Sequence, residues 1–386
     1  MNPKDALNID DLRTHAQRIL PRVAYDFLER GAEDEVSMRE NRAAFERIRL
    51  RPRTLVDVSG RSQRTTLFGK SYTAPFGVAP TGAAGLYWHD ADVALARAAA
   101  AAGVPFVLST ASFVEMERVA REAGGTKWFQ LYMSKDREAA ERLVTRARDA
   151  GYEALVVTSD VNVGGNREYN RRNGFEIPFR LNMSNVVHGA MHPGWLVNVF
   201  LKTLIKSGVP RFQNVDTNVG GRIVAKNLEE FRARRDALNW DDLAWLRTVW
   251  PHKLFVKGVL CAEDAMRAAA AGADGVFVSN HGGRQLDGAV SPLEALPEIA
   301  EAVGDRLAVV LDGGVRRGSD IVKALALGAD MVFVGRATLY GAAAAGEAGV
   351  LRAIDILKSE VDRVMALLGA CNVAEITRDH LVMPES

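Results

Sequence analysis

Eight short apolar runs, joined by alanine-rich helical stretches, limit what this chain can fold into more than any other feature. They are 75–80 (PFGVAP), 105–109 (PFVLS), 127–132 (KWFQLY), 154–160 (ALVVTSD), 253–259 (KLFVKGV), 275–281 (GVFVSNH), 308–314 (AVVLDGG) and 331–336 (MVFVGR). The runs are continuously apolar instead of alternating, the pattern of strands buried on both faces, and they end in glycine or polar residues. The intervals read as helices. Residues 91–102 are alanine-rich and stop at Gly103, and Ser291-Pro292 opens a helix whose Leu293, Leu296, Ile299 and Val303 share one face. Helix-to-strand joints repeat too, as Ala150-Gly151, Ala271-Gly272-Ala273-Asp274 and Leu327-Gly328-Ala329-Asp330. Eight such units predict an α/β fold, a parallel sheet closed into a (β/α)8 TIM barrel. An open doubly wound sheet is the competing fold, but no GxGxxG follows the first run.

Two stretches break the rhythm within what reads as a single domain over 1–386. Residues 1–50 carry Ile9, Leu12, Ala16 and Ile19 at helical spacing, so a helical N-terminal extension is expected. About 100 residues separate the starts of the fourth and fifth runs, which places a long insertion after strand four, near 164–240. Over 161–240 there are 12 Lys/Arg against 6 Asp/Glu, whereas the whole chain has a formal net charge of +1. The near-neutral total argues against nucleic acid as a partner. Inside the insertion, 192–206 (HPGWLVNVFLKTLIK) is apolar with basic punctuation. That composition suits a helix lying in a membrane interface, or one packed on the barrel or on another subunit. Residues 180–225 are the candidate membrane-contact segment. No run of 18 uncharged apolar residues is present. Cys261 and Cys371 are too few for a disulfide framework or a thiolate metal site, no metal is expected, and a reduced, cytoplasmic compartment fits. Cys261 reads as a small buried residue. The start of the chain, with Asn2, Lys4 and Asp5, does not resemble a signal peptide.

In such barrels the chemistry sits at the C-terminal ends of the strands. The eight ends carry Pro80-Thr81-Gly82, Ser109, Gln130 with Tyr132, Thr158 with Asp160, Lys257, Ser279-Asn280-His281, Asp312-Gly313-Gly314 and Gly335-Arg336. Strands seven and eight, with Arg316 nearby, form the usual phosphate position, where glycines admit phosphate oxygens close to backbone N–H groups and arginines add charge. His281 and Arg284 offer a base beside a carboxylate anchor.

The string 279–287 (SNHGGRQLD) closely resembles the active-site signature of the FMN-dependent 2-hydroxy-acid oxidases and dehydrogenases. APTG, LSTAS, WFQLY, VKGVL, LDGGVRRGSDIVKALALGAD and VGRATLYG extend the likeness over nearly the whole chain, most of all toward membrane-associated mandelate and bacterial lactate dehydrogenases. The resemblance implies His281 as the proton-abstracting base and Asp160 as the carboxylate that holds the imidazole and raises its pKa. It implies Arg284 and Arg167 as clamps on the substrate carboxylate, and Tyr25 and Tyr132 as hydrogen-bonding partners of the substrate. Lys257 would lie at the flavin N1/O2 edge. Pro80, Thr81, Gly82, Ser109, Gln130, Thr158 and Ser279 would bind the isoalloxazine; Asp312, Gly314, Arg316, Gly335 and Arg336 would bind the phosphate end. Whether His281 takes the Cα proton or the hydroxyl proton is open.

The family pattern D-x-P-x-x-G-x-R-E-x-D-x-R-N reads here 160–173 (DVNVGGNREYNRRN), with asparagine for the proline and for the later aspartate, which leaves the stiffness of this loop in question. Gly82, where short-chain oxidases carry alanine, favours a dehydrogenase. The resemblance further implies a quinone acceptor, peripheral contact with the inner membrane and a homo-oligomer, a tetramer. Three readings compete: an oxygen-using oxidase of the same family, a flavin-free phosphate-binding isomerase or synthase, and a noncatalytic barrel serving as a membrane or partner module. A chemistry like that of IMP dehydrogenase needs a loop cysteine, and Cys261 stands at a helix start that does not suit it.

Overall fold

In a computed structural model that describes residues 2–175, 182–215 and 235–384, the eight runs form one closed parallel barrel with sequential strand order. We label the strands β1 (Phe76–Val78), β2 (Phe106–Ser109), β3 (Lys127–Leu131), β4 (Ala154–Thr158), β5 (Lys253–Val259), β6 (Gly275–Val278), β7 (Ala308–Asp312) and β8 (Met331–Val334). Several strands are shorter than the apolar runs. Asp160, His281 and Gly314 lie in the loops just beyond β4, β6 and β7, where backbone and side chains are no longer tied to the ladder.

Alternation along a strand explains how one sheet makes both a core and a site. Leu108, Phe129, Leu155, Val256, Val278, Leu311 and Val332 face outward and pack under the helices. Val107, Trp128, Val156, Phe255, Phe277, Val310 and Phe333 face inward and fill the barrel, with Trp128 stacked on Phe255 at 5.0 Å and tilted against Phe333 at 5.1 Å. Two residues further along the same inward columns come Ser109, Gln130, Thr158, Lys257, Ser279 and Asp312. The pleat therefore replaces an apolar layer by a polar one at the C-terminal end. The opposite end is closed by the Thr65–Leu67/Lys70–Tyr72 hairpin, whose Leu67 and Tyr72 join the inner core.

Helices surround the barrel. Ala91–Ala102 ends at Gly103, which adopts the left-handed conformation, and Pro292–Val303 starts from a Ser291 capping box. The N-terminal extension forms Ile9–Ile19, Arg22–Glu29 and Val36–Arg47. Ile9, Leu12 and Ala16 are buried, which seats the first of these helices on the terminal helical segment Arg336–Leu368, itself two helices that meet at a break over Ala345-Gly346. After β4 the chain forms helices Glu168–Arg172 and Met183–Ala190, then a continuous helical stretch over 193–207 with a π-turn at Leu196–Leu201, and it returns to β5 through Trp240–Val249. Among the described residues no helix is long and apolar enough to cross a membrane. Of the 180–225 segment, 180–181 and 216–225 lie outside the described residues. Cys261 corrects an expectation: it is exposed, because it occupies the N-cap of Ala262–Ala270 where the chain leaves β5.

Candidate active site

The polar layer is a continuous hydrogen-bonded band. Ser109 Oγ donates to Gln130 Oε1 at 2.9 Å, and Gln130 Nε2 donates to Thr158 Oγ1 at 2.8 Å, all three residues being buried. Parallel register brings this about, since Ser109 pairs with Gln130 and Thr158 with Lys257 on neighbouring strands. Lys257 Nζ donates to Ser279 Oγ at 2.6 Å and lies 3.0 Å from Asp312 Oδ2. A lysine that is 4% exposed would be costly without a counter-ion. Burial works against its ammonium, but Asp312 and then Asp160 outweigh burial and hold its pKa above the ordinary value. Asp312, expected at the phosphate end, thus makes its ion pair with the lysine.

His281 sits beyond β6 with φ 59°, a left-handed conformation unusual for a residue with a Cβ, followed by Gly282 and Gly283 at φ 68° and 73°. Such a backbone costs on the order of 1–2 kcal/mol and persists where the surroundings over-determine it. They do so here, since a Cβ on Gly283 would lie 2.6 Å from Met38 N and one on Gly282 2.8 Å from Arg336 Nη1. The turn aims the imidazole at Asp160, with Nδ1 3.1 Å from Oδ1. Burial disfavours the Asp160 carboxylate, yet His281 and then Lys257 hold its pKa below the usual value. An ionised carboxylate can only accept, so the proton lies on Nδ1 and Nε2 is left as the basic nitrogen. Burial is the largest influence on the histidine pKa and lowers it; Asp160 raises it, as expected of a neighbouring carboxylate, but the net shift is downward. Asp160 Oδ2 is buried with no hydrogen-bond partner.

The N-terminal extension supplies the wall opposite. Arg284 Nη1 donates to the Arg30 carbonyl at 2.6 Å, and Arg336 donates to the carbonyls of Leu28, Gly282 and Arg30 at 3.0–3.3 Å. Ala32 N–H donates to the Gly283 carbonyl, and Asn41 and Asn280 exchange side-chain hydrogen bonds. Burial and then Arg167 pull the Arg284 pKa down to about 9; burial, Arg284 and Arg316 pull Arg336 down to about 10. These cations are short of negative charge. The Tyr25 hydroxyl, on Arg22–Glu29, is buried without a partner, and burial followed by Glu29 pushes its pKa up to about 12.

Gln285 answers the question left by the missing proline. Its Nε2 donates to the carbonyls of Asp160 (2.8 Å) and Val163 (3.1 Å), and its Oε1 accepts from Gly165 N and Arg167 Nη2. Arg167 Nε also donates to the Arg284 carbonyl at 3.2 Å, so the loops after β4 and β6 hold each other and bring both arginines together. Gln285 lies inside the SNHGGRQLD string, but three of its four bonds run to loop backbone, which no side-chain pattern reveals. Tyr132, just past β3, donates its N–H to Thr110 Oγ1 at 3.1 Å. On the other side, a Cβ at Gly335 would lie 3.6 Å from Thr81 Cγ2, so the ends of β1 (Pro80, Thr81) and β8 adjoin. Gly314, at φ 80°, would place a Cβ 2.3 Å from the Asn41 carbonyl. Arg316 lies with its guanidinium 5.5 Å from the Tyr340 ring, and Tyr340 donates to Glu29 at 2.6 Å. Glu29 and Tyr340 had not stood out in the sequence.

This residue set suits flavin mononucleotide: a polar band for a flat heterocycle, a fixed ammonium beside it, and the partly buried Arg336 at a helix start, where a helix N-terminus favours a phosphate. Comparison with known proteins agrees. The profile of the family described as FMN-dependent dehydrogenase matches residues 16–383. The chain is 45% identical to (S)-mandelate dehydrogenase of Pseudomonas putida, over 98% of this chain and 94% of that one, and 44% identical to L-lactate dehydrogenase of Caulobacter sp. (strain K31), over 96% and 97%. The solved structure of a monotopic membrane protein, (S)-mandelate dehydrogenase, superposes with a TM-score of 0.92 at 44% identity, covering 99% of this chain and 100% of that one. A match this complete means that the chain belongs to the FMN-dependent dehydrogenase family and is an FMN-dependent 2-hydroxy-acid-oxidising enzyme.

Proposed function

We propose that the protein oxidises an L- or (S)-2-hydroxy acid, mandelate- or lactate-like, to the 2-oxo acid and delivers the electrons to a quinone. One observation carries this reading: a partly buried His281–Asp160 pair stands near Arg284 and Arg167, with the Arg167 guanidinium held on the Arg284 backbone carbonyl. Bound FMN supplies the two-electron acceptor. Nε2 of His281 takes a proton from the substrate, and Asp160 keeps the ring in the required tautomer and steadies the imidazolium. Arg284 and Arg167 fix the carboxylate, and Tyr25 and Tyr132 donate to substrate oxygens. Lys257 would set its ammonium against the flavin ring and favour negative charge there. Ser109, Gln130, Thr158, Ser279, Pro80, Thr81 and Gly82 line the ring system; Gly314, Arg316, Gly335 and Arg336 hold the phosphate, and Asp312 anchors Lys257.

The names of the relatives support mandelate or lactate as the substrate class. Gly82, where short-chain oxidases carry alanine, supports a dehydrogenase over the oxidase alternative; a Cβ there would also crowd Ala111 Cβ at 3.0 Å. Peripheral membrane contact is supported by Val197, Leu201 and Ile205, exposed at four-residue spacing on one side of 193–207, and by exposed Met183, Val187 and Met191 on the preceding helix and turn. A tetramer remains part of the proposal and is read by sedimentation.

Purified protein should be yellow. Anaerobic addition of a panel of 2-hydroxy acids should bleach the flavin band for mandelate- or lactate-like members, and a quinone should restore it faster than oxygen. Rapid oxygen consumption by the substrate-reduced enzyme would establish the oxidase reading instead.

A further inference from the structure

The inserted segment leaves the barrel after β4 but attaches to the loops after β1 and β2. Trp195 Nε1 donates to the Leu86 carbonyl at 2.8 Å, and His89 Nδ1 lies 3.1 Å from Thr203 Oγ1. Further on, Gln213 N–H donates to the Ser112 carbonyl, and Asn214, fully buried, accepts from Met116 N–H and donates to the Val114 carbonyl, each at 2.9 Å. Phe212 meets Phe113 with ring centroids 5.3 Å apart. The two loops held in this way begin at Thr81-Gly82 and Ser109. The first is stiff: Ala83 and Asp90, near its ends, are non-glycine residues at φ 55° and 56°, and Asp90 is gripped by both Nη atoms of Arg118 at 3.0 and 2.6 Å. The other side of the same segment carries the exposed Val197, Leu201 and Ile205. One short stretch thus joins an apolar surface to the loops of the rim, and Trp195, stacked on Phe200 at 5.8 Å, stands at the junction.

We propose that Trp195 is a positioning residue for electron delivery: it seats the apolar segment on the 83–90 loop so that a lipid-soluble quinone reaches the Thr81–Gly82 edge from the membrane side. This rests on the quinone reading above. In net balance the 2-hydroxy acid gives up two electrons and two protons, and the quinone leaves as the quinol carrying both. A quinone suits the junction because its ring is apolar enough to pass along Trp195, Phe200 and their neighbours while its tail stays in lipid.

The test uses full-length, FMN-loaded enzyme on vesicles containing ubiquinone. Trp195→Ala should lower kcat/KM for the vesicle-held quinone roughly tenfold, the loss expected of one hydrogen bond and its packing. Trp195→Phe, which keeps a ring but no N–H donor, should fall in between. Substrate-driven flavin bleaching, turnover with a water-soluble dye and co-sedimentation with vesicles should stay within about twofold of wild type. Unchanged quinone turnover in Trp195→Ala, or a loss matched by bleaching, dye turnover or vesicle binding, overturns the proposal. Wild-type enzyme that bleaches normally yet fails to reduce the quinone overturns the acceptor reading itself, and this inference with it.

Discussion

Two sides of one rim use opposite physical means. Around the loops after β4 and β6, polar and charged groups turn inward and are fixed by hydrogen bonds: Asp160 on His281, Lys257 on Asp312, and Arg284 and Arg336 on carbonyls of the N-terminal extension. Around the loops after β1 and β2, apolar side chains are left facing outward on 193–207 while its polar groups hold the barrel. A buried charge is worth most where water is excluded, and an exposed apolar stripe has value only against something other than water. The same barrel thus carries a polar, charged side suited to chemistry and an apolar side suited to a surface.

The largest test of that contrast is His281→Ala, which should cut turnover about 10²–10⁴-fold while the flavin stays bound. Flavin content and the rate of anaerobic bleaching read the two separately, and retained bleaching would remove His281 from the role of base. Arg284→Met comes next, at about 2–5 kcal/mol in kcat/KM for the 2-hydroxy acid, because it deletes a partly buried, hydrogen-bonded charge proposed to hold the substrate carboxylate. A loss confined to acceptor kinetics would show that the two sides are not separable. On the other side, serine at Val197, Leu201 and Ile205 together should weaken vesicle binding on the order of 100-fold, at about 1 kcal/mol for each exposed side chain that no longer meets lipid. Dye-linked turnover should not change, and unaltered co-sedimentation would argue that the stripe meets another subunit.

The smallest effect concerns pH. Because the His281 pKa is lowered, its neutral, basic form persists to lower pH than for an ordinary histidine, so kcat/KM should fall only below about pH 6.5. Since Asp160 raises that pKa, Asp160→Asn should move the acid limb further down, alongside its loss of rate. A limb that moves upward would mean that Asp160 does not act on the imidazole.

Much of this molecule could be read before any fold was seen. Eight doubly buried runs fix a closed parallel barrel because strand alternation and helix periodicity are local properties, and the ends of those runs delivered Ser109, Gln130, Thr158, Lys257 and Ser279 to one layer by the pleat alone. Contacts between distant segments were not legible. Nothing local to Gln285 says that it fastens the loop after β4, nothing local to Arg30 says that its carbonyl receives both Arg284 and Arg336, and nothing near β4 says that its insertion ends on the loops after β1 and β2. The net pKa of His281 was likewise not legible, because a neighbouring carboxylate that raises it can be inferred from a motif whereas the desolvation that outweighs it cannot. Residue order and periodicity determined which groups reach the rim. Only the packing of remote chain segments decided which of them touch, how dry they are, and which side of the barrel was left apolar.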